Sequence, residues 1–221
     1  LYNAGSMYVY SSPSSTATGT GIELQKTRDI TVSCHVDDPL IVCGSKADED
    51  WFHATMEERF DVKFHTYLTE DTSIDYCGAT IHRVSSERVA LSNRKFIEKM
   101  LDERGLSECG SIRQPVTRAT LLVLAQAKAD GRFLDKELST EFRSGLGQVH
   151  WLAATTMPRM APAHSMLAAY SARPVEGCLE AIKKACRYAA GCLDECLMAQ
   201  ASSEGLWIAT DSDWAGGHSL E

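Results

Sequence analysis

An α+β fold is predicted for this 221-residue chain by three features of its sequence. Two short β-branched and apolar runs, separated by only two residues, predict an antiparallel hairpin near the front of the chain. Apolar residues that recur every three or four positions predict amphipathic helices beside further strands. After Pro115 the pattern becomes almost entirely helical, so we expect a palm-like antiparallel sheet with helices, followed by a mainly helical region.

The first element is the hairpin itself. Residues 1–28 contain SSPSSTATGTG and predict a loop-rich or disordered N-terminus. The runs DITVSCHV (29–36) and PLIVCG (39–44) then predict two strands, with Asp37 and Asp38 at the turn between them.

An amphipathic helix is predicted directly after the hairpin. Ser45 and Asp48 have the spacing of a capping box. In this motif a serine at the helix start accepts a hydrogen bond from the backbone N–H of the residue three positions later. Phe52, Met56 and Phe60 recur every four residues and give this helix an apolar face.

Two strands and a second helix come next. Residues 74–84 and 88–92 predict strands joined by a short polar turn. Ser92 is the predicted cap of the following helix, and Gly105 is its predicted stop. The apolar face of that helix consists of Phe96, Ile97, Met100 and Leu101.

The rest of the chain is predicted to be helical up to a final strand. Residues 113–117 (RQPVT) form a linker, and three helices are expected at about 136–155, 162–171 and 174–200, with Gly191 able to break the last one. Residues 205–217 (GLWIATDSDWAGG) return to strand character with acids at the end.

The composition limits the classes of protein and the location. The chain is 44% hydrophobic, which is enough to bury a core. No run approaches the roughly 18 uninterrupted apolar residues of a membrane span, and the N-terminus lacks a secretory pattern. We therefore expect an intracellular protein, cytoplasmic or nuclear, with no membrane partner. Because the chain starts at Leu1 and stops just after a predicted strand, we also expect a truncated fragment.

Charge, cysteines and histidines point away from several binding functions. The net charge of −8 argues against a chain that wraps nucleic acid by itself, because phosphate binding uses Lys and Arg. The eight cysteines form no C-x-x-C pair and favour reduced thiols over a zinc site or disulfides. We interpret the dispersed histidines as isolated side chains rather than metal ligands; they are His53, His65, His82, His150 and His164. The pair of glycines in GLGQ (145–148) favours close helix packing over a phosphate loop.

The adjacent carboxylates of Asp37 and Asp38 are the strongest chemical feature. Two neighbouring carboxylates repel each other, and a divalent cation between their oxygens relieves that repulsion. Mg²⁺ prefers oxygen ligands and leaves coordination positions for substrate phosphates. In a two-metal displacement, ions about 3.5–4 Å apart activate the attacking hydroxyl and stabilise the leaving oxygen. Taken alone the pair is weak evidence, because aspartates are also common in solvated turns.

Seven short stretches follow one another in order between about residues 30 and 217. The first four are HVDDPLIVCG, IDYCGATI, VALSNRKFIEKMLDERGL and QPVT. The last three are FRSGLGQVHWLAATTMPRMAPAHSMLAAYSARP, AIKKACRYAAG and TDSDWAGG. The series resembles the reverse transcriptase segment of copia-type retrotransposon Pol polyproteins, from the Tyr-Val-Asp-Asp polymerase motif to the Asp-Ala-Asp-Trp-Ala-Gly opening of ribonuclease H.

This resemblance implies a fragment of an RNA-directed DNA polymerase. Its parts would be the N-terminus (1–28), a palm and thumb part (29–115), a helical connection (116–202) and the truncated first strand of a ribonuclease H-like domain (203–221). The intact enzyme would use an RNA template, a DNA primer and deoxynucleotides, with Mg²⁺ or Mn²⁺ as cofactor.

The resemblance also implies roles for individual acids. Asp37 would ligate the catalytic metal, and Asp38 would lie beside it at the primer end. Asp211 would be the first metal-binding acid of the ribonuclease H part, with Asp213 as a further candidate.

Two departures from the family pattern bear on activity. His35 stands where the family usually has Tyr, and Pro39 stands where it usually has Leu. The family also needs another aspartate and the fingers region upstream, and residues 1–33 are too short to carry them, so we expect the fragment to be inactive alone. The alternative function is a non-catalytic α/β remnant that serves as an interaction module through an exposed apolar face.

Overall fold

The computed structural model describes residues 8–9, 28–35, 38–60 and 67–200. These ranges hold six α-helices and two antiparallel sheets, which confirms the predicted α+β class. The chain divides into two compact units, Leu1–Tyr67 and Leu68–Glu221. The functional division predicted at the 113–117 linker stays a prediction, because compactness does not report on the roles of segments.

The first unit is built on a three-stranded sheet with the order β1-β2-β3. Its strands are β1 (Tyr8–Val9), β2 (Ile30–His35) and β3 (Asp38–Cys43), and all neighbours are antiparallel. The predicted hairpin is confirmed by the β2–β3 pairing, which runs from the Ile30–Cys43 pair to the His35–Asp38 pair. The short strand β1 lies in the part predicted as loop and was missed.

Helix α1 (Lys46–Glu57) follows β3 as predicted. Ser45 is its N-cap, and the Ser45 hydroxyl accepts a hydrogen bond from the backbone N–H of Asp48 at 3.2 Å. The predicted apolar face of this helix is too long. The helix ends at Glu57, and Phe60 lies beyond it with 59% of its surface exposed.

The second unit contains a four-stranded sheet with the order β4-β5-β6-β7. Its strands are β4 (Ser73–Tyr76), β5 (Ala79–Ser85), β6 (Arg88–Ser92) and β7 (Leu197–Gln200). The single strand predicted over 74–84 is wrong: Cys77 and Gly78 have φ values of 49° and 78° and reverse the chain between β4 and β5. Two successive positive φ values are typical of a type I′ hairpin turn.

Five helices complete the second unit. They are α2 (Arg94–Glu103), α3 (Arg118–Ala129), α4 (Lys136–Thr155), α5 (Ala161–Ala168) and α6 (Cys178–Ala190), with a 3₁₀ helix at Pro158–Met160 before α5. Helix α4 has the predicted bounds. Helix α3 was missed, and the last predicted helix is too long because residues 197–200 form β7 instead.

The ends of α2 follow the prediction in part. The N-cap position belongs to Asn93 rather than Ser92, although the Ser92 hydroxyl accepts a hydrogen bond from the Arg94 N–H at 3.3 Å. Gly105 ends the helix as predicted, with φ of 62°. The N–H of Leu106 then reaches back to the carbonyl of Leu101 at 2.8 Å, which is the bond of a Schellman motif.

The main hydrophobic core lies between α2, α3, α4, α5 and α6. Its largest fully buried side chains include Phe142, Ile97, Met100, Leu124, Leu152, Met160, Leu167, Ile182 and Val149. All eight cysteines lie in the described ranges and are free thiols there. Among the helices described, none is long and apolar enough to cross a membrane.

Candidate functional site

The β2–β3 hairpin carries the acids predicted as metal ligands. Asp38 is the first residue of β3 and pairs with His35, so its backbone belongs to the strand rather than to the predicted turn. Asp37 lies outside the described residues, as do Asp211 and Asp213. Across the parts of the chain that the structure describes, no group of three or more His, Cys, Asp or Glu side chains is placed to hold a metal ion.

The two departures from the family pattern are compatible with the hairpin. Pro39 is the second residue of β3, where it pairs with Cys34 and is half-buried. His35 is exposed at the end of β2. The missing N–H of Pro39 therefore leaves the antiparallel pairing of the two strands intact on both sides of it.

A buried carboxylate, Asp48, fixes the base of the hairpin to helix α1. Asp48 is 9% exposed and accepts hydrogen bonds from the Ser45 hydroxyl at 2.7 Å and the Arg28 guanidinium at 3.4 Å. The Ser45 bond, the Arg28 charge and a backbone N–H bond from Asp29 hold the pKa of this carboxyl below its usual range. These bonds commit Asp48 to a structural role.

The Asp48 carboxylate makes the first unit sensitive to acid. Because its pKa is lowered on folding, its contribution to stability is present above the unfolded value of about 3.8 and is lost as the pH falls below it. We expect Asp48→Asn to weaken the hydrogen-exchange protection of α1 and β2 amides at pH 6. The unsubstituted chain should lose protection when the pH is lowered to 3, and the variant should show little of this additional loss.

The matched control for Asp48→Asn is Asp50→Asn in the same helix. Asp50 is 65% exposed on its side chain and pairs with Lys46 at the surface, so its removal should change protection little at either pH. An equal response of the two variants would contradict the anchoring role of Asp48.

Two open clefts lie within the described residues of the second unit, among any others there. One, of about 320 Å³, lies between the 114–118 segment and α5, and it includes Arg118, Arg159 and Met166. The other, of about 360 Å³, lies between the end of α2 and α4. In the second cleft Arg104 donates to Gln148 at 2.7 Å, and Gln148 donates to Glu103 at 2.9 Å, so these three side chains form one hydrogen-bonded chain.

Two histidines that are distant in the sequence, His150 and His164, are in contact in this unit. The rings of His150 on α4 and His164 on α5 have centroids 4.5 Å apart and planes inclined by 40°. Neither histidine belongs to a sequence motif of metal ligands, because 14 residues separate them. The turn between α4 and α5 is what brings them together.

The chain is similar to a curated protein described as the retrovirus-related Pol polyprotein from transposon RE1 of Arabidopsis thaliana. The two are 26% identical over 197 residues, which cover 87% of this chain and 12% of that polyprotein. No protein-family model matches the chain, and no solved structure matches it. The similarity supports the interpretation of the chain as a fragment of a retrotransposon-derived Pol polyprotein. The chain spans about one eighth of the length of this relative.

Proposed function

We propose that this chain is the later part of the reverse transcriptase of a copia-type retrotransposon Pol polyprotein. The observation that carries the proposal is the β2–β3 hairpin. Its His35–Asp38 pair belongs to the same sequence motif as Asp37, which directly precedes Asp38. The similarity to a transposon Pol polyprotein over 87% of the chain supports the same assignment. The intact polymerase would act inside the cell, in the cytoplasm or nucleus, on an RNA template and a DNA primer.

The residues of the hairpin fit an oxygen-binding divalent ion. Asp37 and Asp38 are adjacent in the sequence, and carboxylate oxygens are the ligands that Mg²⁺ prefers, with Mn²⁺ as a substitute. When bound, such ions would activate the primer hydroxyl and stabilise the leaving oxygen of the deoxynucleotide. Asp211, with Asp213 as a further candidate, would hold metal in the ribonuclease H part.

The fragment itself is proposed to be inactive. The chain corresponds to 12% of the length of the Pol polyprotein that it resembles. In the proposed parent protein, the further catalytic aspartate and the fingers region that holds template and nucleotide belong to another part of the polyprotein. The two carboxylates of the hairpin would then provide metal ligands without the surfaces that position the substrates.

Primer extension on an RNA template tests the proposal. We expect no extension by the 221-residue chain with Mg²⁺ or Mn²⁺, and extension by a longer polypeptide that includes in-frame upstream sequence. In the longer polypeptide, Asp37→Asn should lower the extension rate by at least about 100-fold, because even outer-shell changes at metal sites cost 10–100-fold.

The control variant in that assay is Asp50→Asn, which removes one acid from exposed helix surface in the same unit. Its extension rate should match that of the unsubstituted polypeptide. Extension that survives Asp37→Asn would contradict the assignment of the hairpin as the catalytic site.

A second function, as an interaction module, is favoured by one face of the four-stranded sheet. Ile74, Ile81, Leu91 and Leu197 are cross-strand partners in one row and therefore lie on one face. Leu197 is 39% exposed, and the other three are half-buried. The proposed occupant is a further segment of the parent polyprotein, since the chain matches only 12% of its relative. A longer polypeptide that extends no primer with either metal would favour this second function.

A further inference from the structure

We propose that His150 and His164 form a binding site for one Zn²⁺ ion, held by two imidazole nitrogens with water in the remaining positions. The site is separate from the proposed magnesium-binding hairpin and does not depend on it. Zinc accepts imidazole nitrogen readily, and tetrahedral zinc with open positions tolerates water as a ligand.

The helix packing places the two rings together. Helix α4 runs to Thr155, the 3₁₀ helix Pro158–Met160 reverses the chain, and α5 then packs back along α4. This brings the ring centroids of His150 and His164 to 4.5 Å. In the proposed site, rotation of the two side chains directs one nitrogen of each ring at a shared ion.

The ring nitrogens are available for a ligand. Neither His150 nor His164 makes a hydrogen bond or ion pair with the described part of the chain, and their rings contact each other. An imidazole pair held only by ring contact leaves two donor or acceptor nitrogens on each ring unused. His150 is exposed and His164 is half-buried, so an ion reaches them from solvent.

The ligand set is small, and the form of imidazole that binds metal is the neutral one. With no acidic third ligand in the described ranges and no second-shell hydrogen bond to either ring, the affinity should be modest and the ion readily exchanged.

Zinc titration of the full chain tests the site by calorimetry and thermal unfolding. A background with Cys34, Cys77 and Cys196 replaced by serine removes the exposed thiols, which also bind zinc. We expect one Zn²⁺ per chain. At a free concentration about tenfold above Kd, the unfolding midpoint should rise by about 3–5 °C.

Four variants make the test specific. His150→Ala changes an exposed side chain and should weaken zinc binding at least tenfold, and His164→Ala should do the same. The double variant should lose no more than either single variant, because one ion needs both rings. His82→Ala, on strand β5, is the matched control and should leave binding unchanged.

A simple packing role for the two rings predicts a different result. In that case His150→Ala would leave zinc binding in the serine background unaffected, and this outcome overturns the proposal. Absence of any zinc binding up to millimolar concentration overturns it as well. If His164→Ala unfolds the chain, the exposed His150 variant still decides the question.

Discussion

Phe142→Ala is expected to lower the free energy of unfolding of the second unit by about 3–5 kcal/mol. Phe142 is fully buried on α4 and belongs to the main core with Val149 and Ile182. The substitution removes the buried ring and its apolar contacts. It also leaves a cavity that the surrounding helices fill only in part. Urea denaturation followed by far-UV circular dichroism measures the change.

Two further variants give the Phe142 prediction its scale. Phe142→Leu keeps most of the buried volume and should cost clearly less than the alanine variant. Leu122→Ala removes an apolar side chain from α3 that is 46% exposed and should change stability by no more than about 0.5 kcal/mol. A loss below about 1 kcal/mol for Phe142→Ala would contradict the core assigned to α4.

The elements with strong local signals could be predicted from the sequence. Helix α4 has the predicted bounds, because its apolar residues keep one helical period over 20 positions. Helix α1 starts where Ser45 accepts the N–H bond that the capping spacing implied, and Gly105 ends α2 in the left-handed conformation. In each case the deciding interaction joins residues that are a few positions apart.

The errors come from interactions that local patterns do not encode. Residues 197–200 form β7 because they pair with β6, more than 100 residues earlier. The Cys77–Gly78 turn was hidden in an apolar run, although the glycine was its one available signal. Helix α3 was missed because its run of apolar residues has no clear period, and two of them, Leu122 and Val123, remain exposed.

The candidate sites divide in the same way. The carboxylate pair could be singled out from the sequence, since its signal is the adjacency of Asp37 and Asp38 within one motif. The pairing of His150 with His164 could not, because it depends on the turn between α4 and α5. The anchoring of Asp48 by Arg28 also depends on the fold, since 20 residues separate them.

The two glycines of α4 should respond in opposite ways to alanine. A Cβ added at Gly145 would lie 2.5 Å from Cγ2 of Ile182 on α6 and 2.8 Å from a guanidinium nitrogen of Arg104. Ile182 is fully buried, and Gln148 holds Arg104, so neither neighbour moves away freely. No atom lies within 4 Å of the Cβ added at Gly147.

Alanine in a helix interior is more stable than glycine by up to about 1 kcal/mol, and this difference in helix propensity applies at both positions. Gly147→Ala should therefore raise the free energy of unfolding by about 0.5–1 kcal/mol. Gly145→Ala carries the added cost of overpacking between α4 and α6, so the difference between the two variants should be about 1–3 kcal/mol. Urea denaturation of the pair measures that difference directly. Equal stability of the two variants would mean that α4 and α6 do not meet at Gly145, which would remove the packing explanation for this glycine.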